Sequence, residues 1–86
     1  MIVYLIGDSN LRGEVVIRLQ EMHARILNPN AKRDYNGYTD ENEVFNRQKR
    51  IMDKATHYVV ISDYTAVARR LIAYAEERKL TPVTVL

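Results

Sequence analysis

Short apolar runs alternate with stretches whose apolar residues recur at helical spacing, and this alternation leaves the chain few architectures. Ile2–Ile6 is continuously apolar and ends at Gly7-Asp8-Ser9-Asn10, as a strand buried on both faces would before a turn. Leu11, Val15, Leu19 and Met22 then repeat at the helical period, with Val16 and Ile17 widening the stripe, and Ser9 or Asn10 is placed to cap that helix. Its end is ambiguous. Ile26 continues the period, but a short strand over Ala24–Leu27 gives the later strands a neighbour, and we adopt the strand.

Asn28 to Tyr38 holds Pro29, Gly37 and several Asn and Asp residues, so it reads as a loop, longer than most connections. Asp40 with Glu43 forms a capping-box pattern before a second helix, whose inner side is Val44, Gln48, Ile51, Met52 and Ala55. Tyr58–Ile61 is the next strand and Ser62-Asp63-Tyr64-Thr65 its turn. A third helix carries Val67, Ala68, Leu71, Ile72 and Ala75, and Val83–Leu86 after Thr81-Pro82 reads as the last strand. Strands alternating with helices imply a parallel sheet with helices on both faces. The expected fold is a single α/β domain over residues 1–86: a small three-layer, Rossmann-like (flavodoxin-like) sheet of four strands in the order 2-1-3-4.

Several function classes drop out on composition. With no cysteine the chain has neither disulfides nor thiolate metal sites, and His23 and His57 alone do not make a zinc site. No metal and no cofactor is expected. A formal charge of +2 is weak support for an acidic partner. Arg47, Lys49, Arg50 and Lys54 on the second helix read as a solvated face, because nothing aromatic interleaves with them, so nucleic acid is not expected. No apolar run approaches the ~20 residues that cross a bilayer, and the N-terminus lacks the basic region of a signal peptide. A cytoplasmic location follows as the expectation.

In an open parallel sheet, ligands bind beyond the carboxyl ends of the strands, where strand order reverses. The turn Gly7-Asp8-Ser9-Asn10-Leu11-Arg12-Gly13 has features of a phosphate or sugar site. Glycine permits a tight exit, helix-start amides point outward, and Ser9 and Arg12 add donors at an exposed helix start. Asp8 suits a sugar hydroxyl. From the next turn Asp63 would reach a ribose hydroxyl, while Tyr35 and Tyr38 in the long loop would cover a base. The competing view is an ordinary strand-to-helix turn, with tyrosines that only pin the loop.

Three segments carry a family resemblance. Tyr4-Leu5-Ile6-Gly7-Asp8-Ser9-Asn10-Leu11-Arg12-Gly13 resembles a strand followed by Gly-Ser-x-Arg-Gly. Ile26-Leu27-Asn28-Pro29 is similar to a short strand and proline after the first helix. Ile51 to Val60, then Leu71-Ile72-Ala73-Tyr74-Ala75 to Pro82-Val83, resembles Ala-Asp, an apolar strand, a helix with a Leu-Gly-Tyr-Ala run, then proline and strand. These are features of the nucleoside 2-deoxyribosyltransferase superfamily, which includes the deoxynucleoside 5′-monophosphate N-glycosidases. The resemblance implies a nucleotide- or nucleoside-binding domain. The family's nucleophilic glutamate, however, aligns with Leu71, and its Ala-Asp with Thr56-His57. An N-glycosidase needs a carboxylate at the developing oxocarbenium carbon. The expectation is therefore a binding relative or an enzyme with a rearranged site. The alternative is a protein-interaction module that keeps the fold and has lost the pocket. Ile6-Gly7-Asp8-Ser9 also resembles the first block of the GDSL hydrolases, but the Asp-x-x-His and oxyanion blocks of that family are missing.

One partner is expected from topology. Order 2-1-3-4 sets the first helix alone on its face, with the outer strands bare there, and Ile17 stands beyond the core stripe. A homodimer on the first-helix face follows as an expectation.

Overall fold

The computed structural model describes residues 1–27 and 40–85, so Tyr35 and Tyr38 lie outside the described residues. The element order is β1 (Ile2–Ile6), α1 (Arg12–Glu21), β2 (Arg25–Leu27), α2 (Glu41–Met52), β3 (His57–Val60), α3 (Ala66–Glu77) and β4 (Thr81–Pro82). The strands form one parallel sheet in the order β2-β1-β3-β4. This is the small three-layer α/β fold that the alternating pattern predicts.

Because side chains alternate across a strand, β1 sends Val3 and Leu5 to one face and Tyr4 and Ile6 to the other. On the first face Val15 and Leu19 of α1 pack with Val59 of β3. On the second, Val44 and Met52 of α2 and Val67, Ala68, Leu71 and Ala75 of α3 close over Tyr4, Ile6 and Tyr58. The faces of α2 and α3 are those the spacing predicts. Gln48 is 2% exposed on that inner face, where its Oε1 accepts a hydrogen bond from the buried Tyr4 hydroxyl. The Asp40 carboxylate caps α2 as expected, accepting from the amides of Asn42 and Glu43 at 2.8 and 3.1 Å.

Three sequence expectations are corrected. Neither Ser9 nor Asn10 caps α1: Leu11 is the N-cap residue, without a side-chain bond, and the Ser9 hydroxyl accepts from the Leu11 amide one step earlier. Of the four-residue α1 stripe only Val15 and Leu19 are buried, while Leu11 and Met22 are each 47% exposed. The last strand is Thr81–Pro82, not Val83–Leu86. Register is the reason for the last shift. β3 starts at His57, and its parallel partner must start where α3 releases the chain, so His57 pairs with Thr81 and Tyr58 with Pro82. Proline is tolerated there because an edge strand has a side with no ladder bond to lose.

The ends of α1 and α3 are built alike, and neither uses glycine. After α1 the Ala24 amide bonds the Leu19 carbonyl and the His23 amide that of Gln20; after α3, Leu80 bonds Ala75 and Lys79 bonds Glu76. Both are Schellman closures, which put one residue in the left-handed region. Those residues are His23 (φ 59°) and Lys79 (φ 58°). A side chain in that conformation costs about 1–2 kcal/mol, part of which glycine returns as unfolded-state entropy. Lys79→Gly should therefore raise stability by about 1 kcal/mol, seen as a Tm increase of about 4–8 °C in a thermal melt. Lys79→Ala should not, and an equal gain from alanine would show that side-chain removal, not backbone relief, is responsible.

Candidate functional site

The turns from β1 into α1 and from β3 into α3 both leave the carboxyl ends of their strands, and the order reverses between β1 and β3. Across that gap the turns after β1 and β3 are stitched together. Ser62 Oγ accepts from the Asp8 amide at 3.0 Å and donates to the Asp8 carbonyl at 2.9 Å. Gly7 sits at φ +86°, and a Cβ on it would lie 2.3 Å from the Ser62 carbonyl oxygen and 2.5 Å from Ser62 Oγ. The glycine is needed both for its backbone angle and because the other turn occupies its side-chain space.

Each turn is further braced by an arginine from the helix it enters. Arg12 Nη1 donates to the Gly7 carbonyl at 2.8 Å, and Arg69 Nη1 to the carbonyls of Asp63 and Tyr64 at 3.0 and 3.3 Å. Arg12 is only 8% exposed, which corrects the expectation of an exposed donor at the helix start. Its guanidinium folds back under the first turn, so Arg12 shapes the loop from within.

Of the residues expected at the site, Gly7, Asp8, Ser9, Asn10, Arg12 and Asp63 do share this rim, on the two turns that Ser62 joins. Ser9 spends its hydroxyl on Leu11 and its carbonyl on the Arg12 amide. Among the described residues, neither the Asp8 nor the Asp63 carboxylate has a hydrogen-bond or ion-pair partner, so both keep their acceptor capacity. The sequence reading missed Ser62 and Tyr64. Tyr64 is 82% exposed although its backbone is held by Arg69, an unusual position for an aromatic ring. Its signal was present as a lone aromatic in a four-residue turn, but exposure is not legible in one residue type. Gly13 lies in the first turn of α1, where a Cβ would meet nothing within 4 Å, so packing does not require glycine there.

Leu71, which aligns with the N-glycosidase nucleophile, is fully buried in the core beneath α3 rather than on the rim. Thr56 and His57 lie at the opposite, amino edge. There Thr56 Oγ1 accepts from the Ile2 amide at 3.0 Å and sits 2.6 Å from His57 Nδ1. These residues clamp β1 to β3 and are remote in topology from the turns.

The reading of the α2 cations as free of aromatic neighbours is also corrected. Lys49 Nζ stands 5.5 Å from the Phe45 ring centroid and 5.7 Å from that of Tyr74, and the two rings meet edge to face. The Arg70 guanidinium lies 4.1 Å over Phe45 while pairing with Glu41 at 3.3 Å, and Arg78 pairs with Asp53 at 2.9 Å. The Tyr74 hydroxyl donates to the same Asp53 carboxylate, and that bond, with some burial, raises the phenol pKa. Phe45 and Lys49 are four residues apart on α2, whereas the contacts of Tyr74, Arg70 and Arg78 seam α3 to α2 and are not revealed by spacing within one helix.

Compared with known proteins, the chain matches no family model, no curated protein and no solved structure. The resemblance to the deoxyribosyltransferases thus rests on its short motifs, and function has to be argued from the rim. Among the described residues no group of three His, Cys, Asp or Glu could hold a metal ion, and no helix is long and apolar enough to cross a membrane.

Proposed function

We propose that the carboxyl rim binds a nucleotide or nucleoside-derived small molecule, with its sugar toward Asp8 and Asp63 and its base on Tyr64. The observation that carries this is the Ser62 tie between Asp8 and the β3 turn. It makes one rigid rim of two carboxylates without partners among the described residues and one exposed ring. Carboxylates accept from sugar hydroxyls, and a face of tyrosine stacks any base. The open space at Gly13 and the helix-start amides beyond it suit a phosphate, if one is carried. Tyr35 and Tyr38, which lie outside the described residues, belong to the same reading as further cover for the base. A cytoplasmic location, where such metabolites are handled, goes with it.

The test is a thermal-shift screen with nucleosides, nucleotides and dinucleotides. A ligand at 100 times its dissociation constant adds about 2.7 kcal/mol of stability. Tyr64→Ala should weaken the compound found by about 1–3 kcal/mol, the range for one base stacked on an aromatic ring. Asp63→Asn should weaken it while leaving the unliganded melting temperature in place, because that carboxylate braces nothing described. The reading fails if no nucleoside compound shifts the melt, or if both variants bind as the parent does. Arg12 is unsuited to the test, since its removal would loosen the turn itself.

A second reading, an interaction module, is favoured by a different observation. Ser62 takes up the space beside Gly7, while the face of the sheet beside α1 carries an open apolar hollow lined by Val15, Val59, Pro82, Val83 and Val85.

A further inference from the structure

Each rim aspartate has an arginine bonded to its own turn, and neither arginine meets a carboxylate. Arg12 Nη1 donates to the carbonyl of Gly7, next to Asp8, and Arg69 Nη1 donates to the carbonyls of Asp63 itself and of Tyr64. The Asp8 amide and carbonyl are both held by Ser62 Oγ. The main chain at both aspartates is therefore fixed, while among the described residues neither carboxylate has a donor. Asp8 is also half-buried. A carboxylate that gives up part of its water needs donors in return.

The two aspartates come from the two turns that Ser62 joins, so they offer two separate acceptors at one edge. An ionised carboxylate only accepts, so each is completed by a ligand group that carries a proton. A ribose brings two such groups side by side, its 2′ and 3′ hydroxyls. A 2′-deoxyribose brings one of them and leaves a carboxylate without a donor. Resting on the reading of the rim as a nucleotide or nucleoside site, we infer that it selects the ribose form of its ligand over the 2′-deoxyribose form, Asp8 and Asp63 each accepting from one of the two hydroxyls. A site that bonds a hydroxyl rejects the analogue lacking it, because its own polar group is then left unpaired. Tyr64, next to Asp63 in the chain, supplies affinity without this preference, since a ring stacks a base whichever sugar carries it. The selection is the reverse of what the resemblance to the deoxyribosyltransferases implies. It arises from carboxylates that the neighbouring arginines leave open.

Isothermal titration calorimetry on the 86-residue protein tests this, with adenosine, guanosine, cytidine, uridine and their 5′-monophosphates, each against its 2′-deoxy and 3′-deoxy counterparts. The ribose compound that binds tightest should lose about tenfold or more in affinity when either hydroxyl is removed, the loss of one charge-assisted hydrogen bond. Asp8→Ala and Asp63→Ala should each abolish the cost of removing one of the two hydroxyls and keep the cost of removing the other, because the two members of one bond are coupled. Tyr64→Ala should weaken all three compounds alike and leave their ratio unchanged. Neither aspartate side chain braces anything described, so the unliganded melting temperatures of both variants should match the parent. Deoxyribose compounds that bind as tightly as their ribose counterparts overturn this inference and leave the nucleoside reading of the rim standing. So does a ribose preference that survives both aspartate substitutions. Binding by none of these compounds overturns both.

Discussion

Gly7→Ala should remove about 2–5 kcal/mol of folding stability. Two costs combine. A side chain at φ +86° strains the backbone by about 1–2 kcal/mol. Overpacking a filled site adds about 1–3 kcal/mol more. Relief by side-chain movement is blocked because the nearest contacts include the Ser62 backbone, its carbonyl oxygen at 2.3 Å and its nitrogen at 2.9 Å. Adding Ser62→Gly to the variant would clear only the hydroxyl contact at 2.5 Å, so it should not rescue. Small domains have about 5–15 kcal/mol of stability in total, and urea denaturation would show a large fall in midpoint. Gly13→Ala is the internal control. Its Cβ meets nothing, and alanine is favoured over glycine in a helix by about 0.5–1 kcal/mol, so its midpoint should hold or rise. A Gly7→Ala cost below about 1 kcal/mol would mean that the two turns are not locked as the Ser62 bonds indicate.

The second large effect should appear at Tyr4 and Gln48. Both are nearly inaccessible to solvent, one at the centre of the sheet and one on the inner side of α2. Gln48→Leu removes the acceptor of the buried Tyr4 hydroxyl and should cost about 1–3 kcal/mol, the desolvation penalty of a buried polar group that loses its partner. Tyr4→Phe should cost a similar amount by leaving the Gln48 carbonyl oxygen without that donor. Replacing both should cost less than the sum of the two, because neither member of that bond is then left facing the other's missing partner. Urea midpoints of the four proteins give the coupling. A coupling near zero would show that the bond contributes little and that the core tolerates either group alone.

Much of this architecture is written in local periodicity. A run such as Ile2–Ile6 reads as a strand covered on both faces, and the spacing of Val67, Ala68, Leu71 and Ala75 as one side of a helix, and the structure has both. The short β2 was chosen over a longer α1 because the later strands needed a neighbour in a parallel sheet; Arg25–Leu27 is a strand, and the neighbour it pairs with is β1. Strand order 2-1-3-4 came with the flavodoxin-like fold class that the alternation of elements implied. The rim residues Gly7, Asp8 and Asp63 were legible for the same reason, since topology alone brings turns after β1 and β3 to one edge.

Tertiary structure decided what depends on where a flexible group ends up or on residues distant in the chain. Arg12 reads in sequence as a helix-start donor, yet its long side chain reaches back to a carbonyl and is buried. Ser62 meets Asp8 across 54 positions, and no local pattern encodes that bond. His23 and Lys79 end their helices in the left-handed region without the glycine that would have marked the place. The last strand moved to Thr81–Pro82 because its register is dictated by β3, not by its own apolar content. Periodicity is a property of neighbours along the chain. The lock between the turns, the exposure of Tyr64 and the hollow beside α1 arise from contacts between elements, which exist only once the sheet has assembled.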